Sequence, residues 1–179
     1  MKTTENLRQE PGKRASVPRW MALIVAFIFW LVGVPLFYGV LPWAISLLMP
    51  HYGWSESRPT NWNLLGLIPV VTATACLMWI MVQHFAQTSS LPGRVEMERT
   101  PSYLLQRGPY AFSRHPMYLA ELALLFGWSI FYGSVAVLIA FLVACVFCNF
   151  IHVPREERAL EARFGDTYRE YKNSVPRWF

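Results

Sequence analysis

The chain has 179 residues, 54% hydrophobic and 16% aromatic, with three cysteines and a formal net charge of +5. So large an apolar fraction excludes an ordinary soluble domain, and so few cysteines exclude a disulfide framework. The positive charge is split into blocks that flank apolar runs instead of forming one stripe, which argues against nucleic acid and points to anionic lipid headgroups as partners.

Fifteen of the sixteen Lys and Arg residues lie in three blocks, Lys2 to Arg19, Arg94 to Arg114 and Arg155 to Arg177; only Arg58 stands apart. Basic residues beside membrane spans are retained on the cytoplasmic side. The pattern therefore predicts an all-α, polytopic membrane helix bundle with both termini cytoplasmic. It divides the chain into a polar basic segment (1–19), a transmembrane domain (20–153) with a cytoplasmic loop (86–115), and a cytoplasmic C-terminal helix (154–179). The first sixteen or so residues are polar and read as unstructured.

One span needs roughly 20 apolar residues. Trp20 to Pro50 carries no charge and is longer than that, with Pro35 and Pro42 inside it. A helix over Trp20 to Leu41 is expected, then a kinked or interfacial piece to Met49. The first run is too long for the apolar core of a signal peptide. Trp62 to Phe85 is the second span, with Trp62 as an interfacial anchor. Between Arg114 and Arg155 the only acid is Glu121. This stretch suits two short crossings joined by a turn at Tyr132-Gly133-Ser134, giving four helices in all. Cys76, Cys145 and Cys148 fall within spans, and Cys145-x-x-Cys148 lacks the neighbours a zinc site needs, so packing is expected and no metal.

Two charged segments carry the chemistry. In the first, Gly108-Pro109 marks a turn, and Pro116 suits the first position of a helix. His115 and Tyr118 then share a face at the mouth of the third span. A helix N-terminus there can hold a carboxylate or phosphate; interfacial anchoring by Arg and Tyr explains the same residues equally well. Glu121, three residues after Tyr118, is costly inside a span unless it faces a cleft or reaches the headgroups. In the second segment, Leu160, Phe164, Tyr168 and Tyr171 recur at helical spacing. Glu156 and Glu157 occupy the first turn after Pro154, where acids simply complement the helix dipole.

Together the segments resemble the isoprenylcysteine carboxyl methyltransferase family, within a wider group of membrane methyltransferases that includes the phospholipid methyltransferases. The resemblance rests on Gly108-Pro109-Tyr110, Arg114-His115-Pro116-Met117-Tyr118, Glu156-Glu157, Phe164-Gly165, Tyr168, Tyr171 and Val175-Pro176, and covers Ser102 to the C-terminus. It implies methyl transfer from S-adenosylmethionine to a lipophilic or lipidated acceptor at the cytoplasmic face. It implies a cofactor pocket lined by Ser102, Tyr103, Leu104, Leu105, Tyr110, His115, Pro116, Met117, Tyr118 and Glu156. Glu121, Arg155 and Glu157 are the candidate catalytic residues. In the eukaryotic prenylcysteine enzymes an Arg that binds the substrate carboxylate stands four residues before the first Glu. Here that position is His152, the candidate acceptor-binding residue, and the Gln those enzymes carry upstream is not evident near Val95. A carboxylate, an amine or a thiol remains open as acceptor. An NADPH-dependent sterol-type reductase shares Arg-His-Pro-x-Tyr but not the Glu pair; a non-enzymatic membrane scaffold is the third reading.

Overall fold

The computed structural model describes residues 16–55, 58–90, 94–96 and 104–179. Most of the polar N-terminal segment, and Ser102 and Tyr103 of the expected pocket, lie outside the described residues. The chain forms an all-α membrane bundle. Three helical segments are long and apolar enough to cross a bilayer. The first is α1 (Trp20–Ser46). The second, Asn61–Ala86, combines the short α2 (Asn61–Leu64) with most of α3 (Leu67–Ser90). The third is α5 (Val135–Phe164). Between them lies α4 (Pro116–Tyr132), apolar but only 17 residues long. A last short helix, α6 (Asp166–Ser174), follows α5.

Contrary to the sequence expectation, α1 does not stop at Leu41 but runs on to Ser46. A proline ring crowds the carbonyl four residues back and offers it no N–H. Wide π-turns at Phe29–Gly33 and Leu36–Val40 make room around Pro35 and Pro42. Pro42 deprives the Tyr38 carbonyl of its usual donor, and the Trp128 indole N–H of α4 donates to that oxygen at 2.6 Å. A freed backbone carbonyl in an apolar bundle must be satisfied, and α4 satisfies this one.

α3 and α4 are the central pair. Val70, Ala73 and Leu77 pack on Ala120 and Leu124. At the end of the bundle near the α4–α5 turn the two backbones meet directly. A Cβ on Gly66 would lie 2.4 Å from the Gly127 carbonyl oxygen, so only glycine fits there. Asn63, fully buried, pins the same end. It accepts from the Thr60 hydroxyl at 2.9 Å and donates to the carbonyls of Tyr52 and Ile130. A small antiparallel hairpin, β2 (Trp54–Ser55) with β3 (Arg58–Pro59), carries Arg58 at this end. The expected turn after Tyr132 is present, with Gly133 in the left-handed region at φ 56°.

At the opposite end the described parts of the three basic blocks meet. Strand β1 (Ser16–Pro18) pairs antiparallel with β4 (Arg94–Glu96). The C-terminus packs on the middle block, where the Arg114 N–H donates to the Pro176 carbonyl at 3.0 Å. The expected separate C-terminal helix takes another form. α5 runs through Pro154 without a break, by way of a π-turn at Cys148–His152, and ends at Phe164. Gly165, at φ 55°, then turns the chain into α6. Leu160, Tyr168, Tyr171 and Val175 close together against Leu104 and Phe164.

The α3–α4 contact is directly testable. A Cβ on Gly127 would sit 2.7 Å from the Gly66 carbonyl oxygen, whereas one on Gly39 meets nothing within 4 Å. Gly127→Ala should destabilise the detergent-solubilised protein by the overpacking cost of about 1–3 kcal/mol. Gly39→Ala, in a helix, should be neutral or stabilising by up to about 1 kcal/mol. Equal thermal midpoints for the two variants would show that the helices do not touch at Gly66 and Gly127.

Candidate functional site

The approach to α4 is built from a 3₁₀ turn, Gly108–Ala111, with Gly108 at φ 63°. It delivers Ser113-Arg114-His115 to the helix start, and Pro116 takes the first helical position. The Ser113 hydroxyl accepts from the His115 N–H at 3.2 Å and donates to the Arg177 carbonyl at 2.9 Å. The Tyr171 hydroxyl donates to the Tyr110 carbonyl at 2.7 Å. Thus α6 and the chain end brace this approach from outside. His115 and Tyr118 share a face as their spacing predicts, with rings stacked at 5.8 Å and 22°.

Glu156 and Glu157 do not stand at a free helix start. The helix runs unbroken into them, with the Val153 N–H already bonded to the Cys148 carbonyl. Helix-dipole complementation therefore does not account for the pair, since no free N–H groups precede them. Successive helical residues point about 100° apart, and the two acids divide accordingly.

Glu157, 4% exposed, turns inward. One of its oxygens meets Arg114 at 3.0 Å, Arg177 Nε at 3.2 Å and His115 Nε2 at 3.4 Å. The other accepts from Arg177 Nη2 at 2.6 Å. Two guanidinium groups and an imidazole thus hold it as a carboxylate. The arginine–histidine–proline turn and the glutamate pair, some forty residues apart, are in direct contact on the same side of the bundle.

Glu156 faces a different way. It lines a cavity of about 480 Å³. Its Oε2 approaches His115 Nδ1 at 3.7 Å, too far for a hydrogen bond. The polar wall also holds Arg114, Tyr110, Tyr168, Tyr171 and His84. Three of these lining residues each hold a buried polar atom, Arg114 Nε, Glu156 Oε2 and the Tyr168 hydroxyl, with no hydrogen-bond partner among the described residues. Burial, with the Glu157 carboxylate nearby, pushes the Tyr168 phenol up to about 12, so it remains a neutral donor. The apolar wall comes from Leu104, Leu105, Met117 and Leu160, and from Ala22, Val25 and Phe29 of α1.

Of the residues expected in the pocket, Leu104, Leu105, Tyr110, Met117 and Glu156 line the cavity. His115 and Pro116 are buried behind that wall. Tyr118 turns to His152, with its hydroxyl 2.9 Å from Nε2. Glu121 is not on the cavity wall; it pairs with Tyr38 of α1. Glu157 is tied into the ionic cluster, and His152 and Arg155 are exposed on the outer faces of α5. Arg114, Tyr168, Tyr171 and His84 also line the cavity, although none was expected there, and α1, whose aromatic residues suited either a lipid-facing tunnel or anchoring, supplies part of its apolar wall. Arg114 stood in the recognised motif.

The family model described as phospholipid methyltransferase matches residues 62–167. An uncharacterized protein of Haemophilus influenzae is 37% identical over 62 residues, covering 35% of this chain and 98% of that protein. No solved structure matches the chain.

The two glutamates should separate by stability. Removing the charge of Glu157 leaves Arg114, itself 7% exposed, without its counter-ion. Glu157→Gln should cost on the order of 3 kcal/mol, as breaking a buried pair does. Glu156→Gln should stay within about 1 kcal/mol of wild type. Thermal unfolding in detergent checks both, and a neutral Glu157→Gln would mean that the cluster does not hold the fold.

Proposed function

Because the chain belongs to the phospholipid methyltransferase family, a family of membrane methyltransferases, we propose that it moves a methyl group from S-adenosylmethionine to a lipid-soluble acceptor at the cytoplasmic membrane face. One observation carries the reading: Arg114, Glu156 and Tyr168 all line one cavity, and each holds a buried polar atom without a partner among the described residues. Buried polar groups are rarely left unpaired in a native site, so the three mark the outline of a polar ligand.

The donor's groups fit that outline. Its amino-acid end carries a carboxylate, which Arg114 Nε can serve as a charge-assisted donor, and an ammonium, which Glu156 can accept from. The Tyr168 hydroxyl suits a further acceptor oxygen. The rings of Tyr110 and Tyr171 suit stacking on adenine or facing the sulfonium. Bound S-adenosylmethionine supplies an already activated methyl group. What remains for the chain is alignment and exclusion of water. Leu104, Leu105, Met117 and Leu160 keep the polar end dry, and the α1 side of the cavity offers Ala22, Val25 and Phe29 to an apolar acceptor chain.

His152, the candidate for binding an acceptor carboxylate, and Arg155, a catalytic candidate, are off the cavity wall. Among the described residues the wall's only arginine is Arg114, already paired with Glu157. A prenylcysteine-like carboxylate therefore finds little to hold it, which favours a lipid amine or thiol. The family match favours methyl transfer over the sterol-type reductase.

Ligand-dependent unfolding of the detergent-solubilised protein tests the donor. S-adenosylhomocysteine at 100-fold its dissociation constant should add about 2.7 kcal/mol of stability, and NADPH should add none. Glu156→Gln should weaken S-adenosylhomocysteine about ten-fold, the value of one lost charge-assisted hydrogen bond. Stabilisation by NADPH alone, or unaltered binding by the variant, would overturn the assignment.

A further inference from the structure

The last five residues do more than end the chain. Arg177 meets Glu157 through two nitrogens, at 2.6 and 3.2 Å. Its carbonyl accepts from the Ser113 hydroxyl, and the Pro176 carbonyl accepts from the Arg114 N–H at 3.0 Å. Trp178 donates to Asn149 of α5 at 3.0 Å and sets its ring 5.9 Å from that of His115. The tail thus bridges α5 and the start of α4 over the back of the cavity.

Arg114 is the residue this bridge controls. Its Nη1 donates to the Lys172 carbonyl at 3.0 Å, and its Nη2 pairs with Glu157 at 3.0 Å. A planar guanidinium held at both terminal nitrogens has its third edge fixed. That edge is Nε–H, buried and without a partner among the described residues, on a side chain that lines the cavity. Glu157 reaches no cavity surface; its oxygens are taken up by Arg114, Arg177 and His115.

We propose that the C-terminal tail is a latch on the donor site: Arg177, through Glu157, fixes Arg114 so that its Nε–H binds the carboxylate end of the methyl donor. Glu157 and Arg177 are positioning residues, and Arg114 is the one that touches ligand. Without Arg177, Glu157 is oriented by one guanidinium instead of two, and the carboxylate oxygen that holds Arg114 Nη2 is no longer fixed in place. The latch rests on the donor reading above, and it adds a requirement of its own. Losing the tail contact must cost affinity for the amino-acid end of the ligand and not for the nucleoside.

Calorimetry on the full chain in detergent, with S-adenosylhomocysteine and 5′-methylthioadenosine as probes, reads this difference. The second probe keeps the adenosine thioether but lacks the amino-acid end. Arg177→Ala should weaken S-adenosylhomocysteine about ten-fold and leave methylthioadenosine unchanged. Arg177→Lys, which returns a cation without the paired contact, should fall between. If Arg177→Ala does not fold, Arg177→Lys makes the same test, with a loss confined to S-adenosylhomocysteine. Equal losses for both probes would mean that the tail only supports the fold, and no loss for S-adenosylhomocysteine would mean that it does not reach the site; either overturns the latch. A wild-type protein that binds neither probe overturns the donor reading itself, and the latch with it.

Discussion

A carboxylate taken almost wholly out of water needs partners, and Glu157 draws them from separate parts of the chain. Arg114 and His115 come from the approach to α4, and Arg177 comes from the tail. Breaking such a cluster leaves uncompensated charge in a low-dielectric interior, which costs far more than any surface pair returns. That penalty makes the geometry nearly all-or-none. If Glu157 is paired, the arginine–histidine–proline turn lies against α5, the cavity has its polar wall, and Glu156, one position away, faces into it. The more exposed pairs of Arg169 on α6, with Glu161 of the neighbouring α5 and with Asp166 of α6 itself, lie at the surface without constraining anything comparable.

A second constraint comes from the bilayer. Backbone polar groups there cannot turn to water, so every irregularity must be repaired by a neighbour. Pro42 removes one donor from α1, and Trp128 replaces it from α4. The same contact positions α1 beside α4, and so brings Val25 and Phe29 to the cavity. A local defect in one helix thereby fixes the placement of a wall. Proline in a span is often read as a stop. Here it is a docking point, because the partner that repairs it also registers the two helices.

The architecture was legible where it depends on periodicity or charge. The apolar runs and the turn at Gly133 follow directly from residue order. The convergence of the His115 and Glu156–Glu157 segments was also readable, through the spacing of a known motif. What failed did so for identifiable reasons. α1 passes Leu41, and α5 passes Pro154, because π-turns absorb proline, and whether a π-turn forms depends on contacts distant in sequence. The resemblance put Glu156 in the pocket, but Glu157 was expected to be a catalytic acid, because adjacent acids look alike until the helix phase is set. Glu121, a plausible cleft acid by depth alone, is met by Tyr38, a pairing that sequence spacing does not encode.

The matched family region, residues 62–167, contains Arg114, Glu156 and Tyr110 but neither α1 nor the tail. The cavity is therefore assembled from two kinds of parts. Its polar wall is mostly drawn from the shared region, and on the proposed reading it needs only one fixed chemistry, since the donor is the same molecule whatever is methylated. Its apolar wall at Ala22, Val25 and Phe29 comes from α1, outside that region. On the proposed reading, α1 is where acceptor preference resides, because an apolar chain is selected by shape and length and not by hydrogen bonds. The tail belongs with the donor side although it also lies beyond the match. It acts on Arg114 through charge, and charge is the property that the donor's amino-acid end carries and a lipid tail lacks.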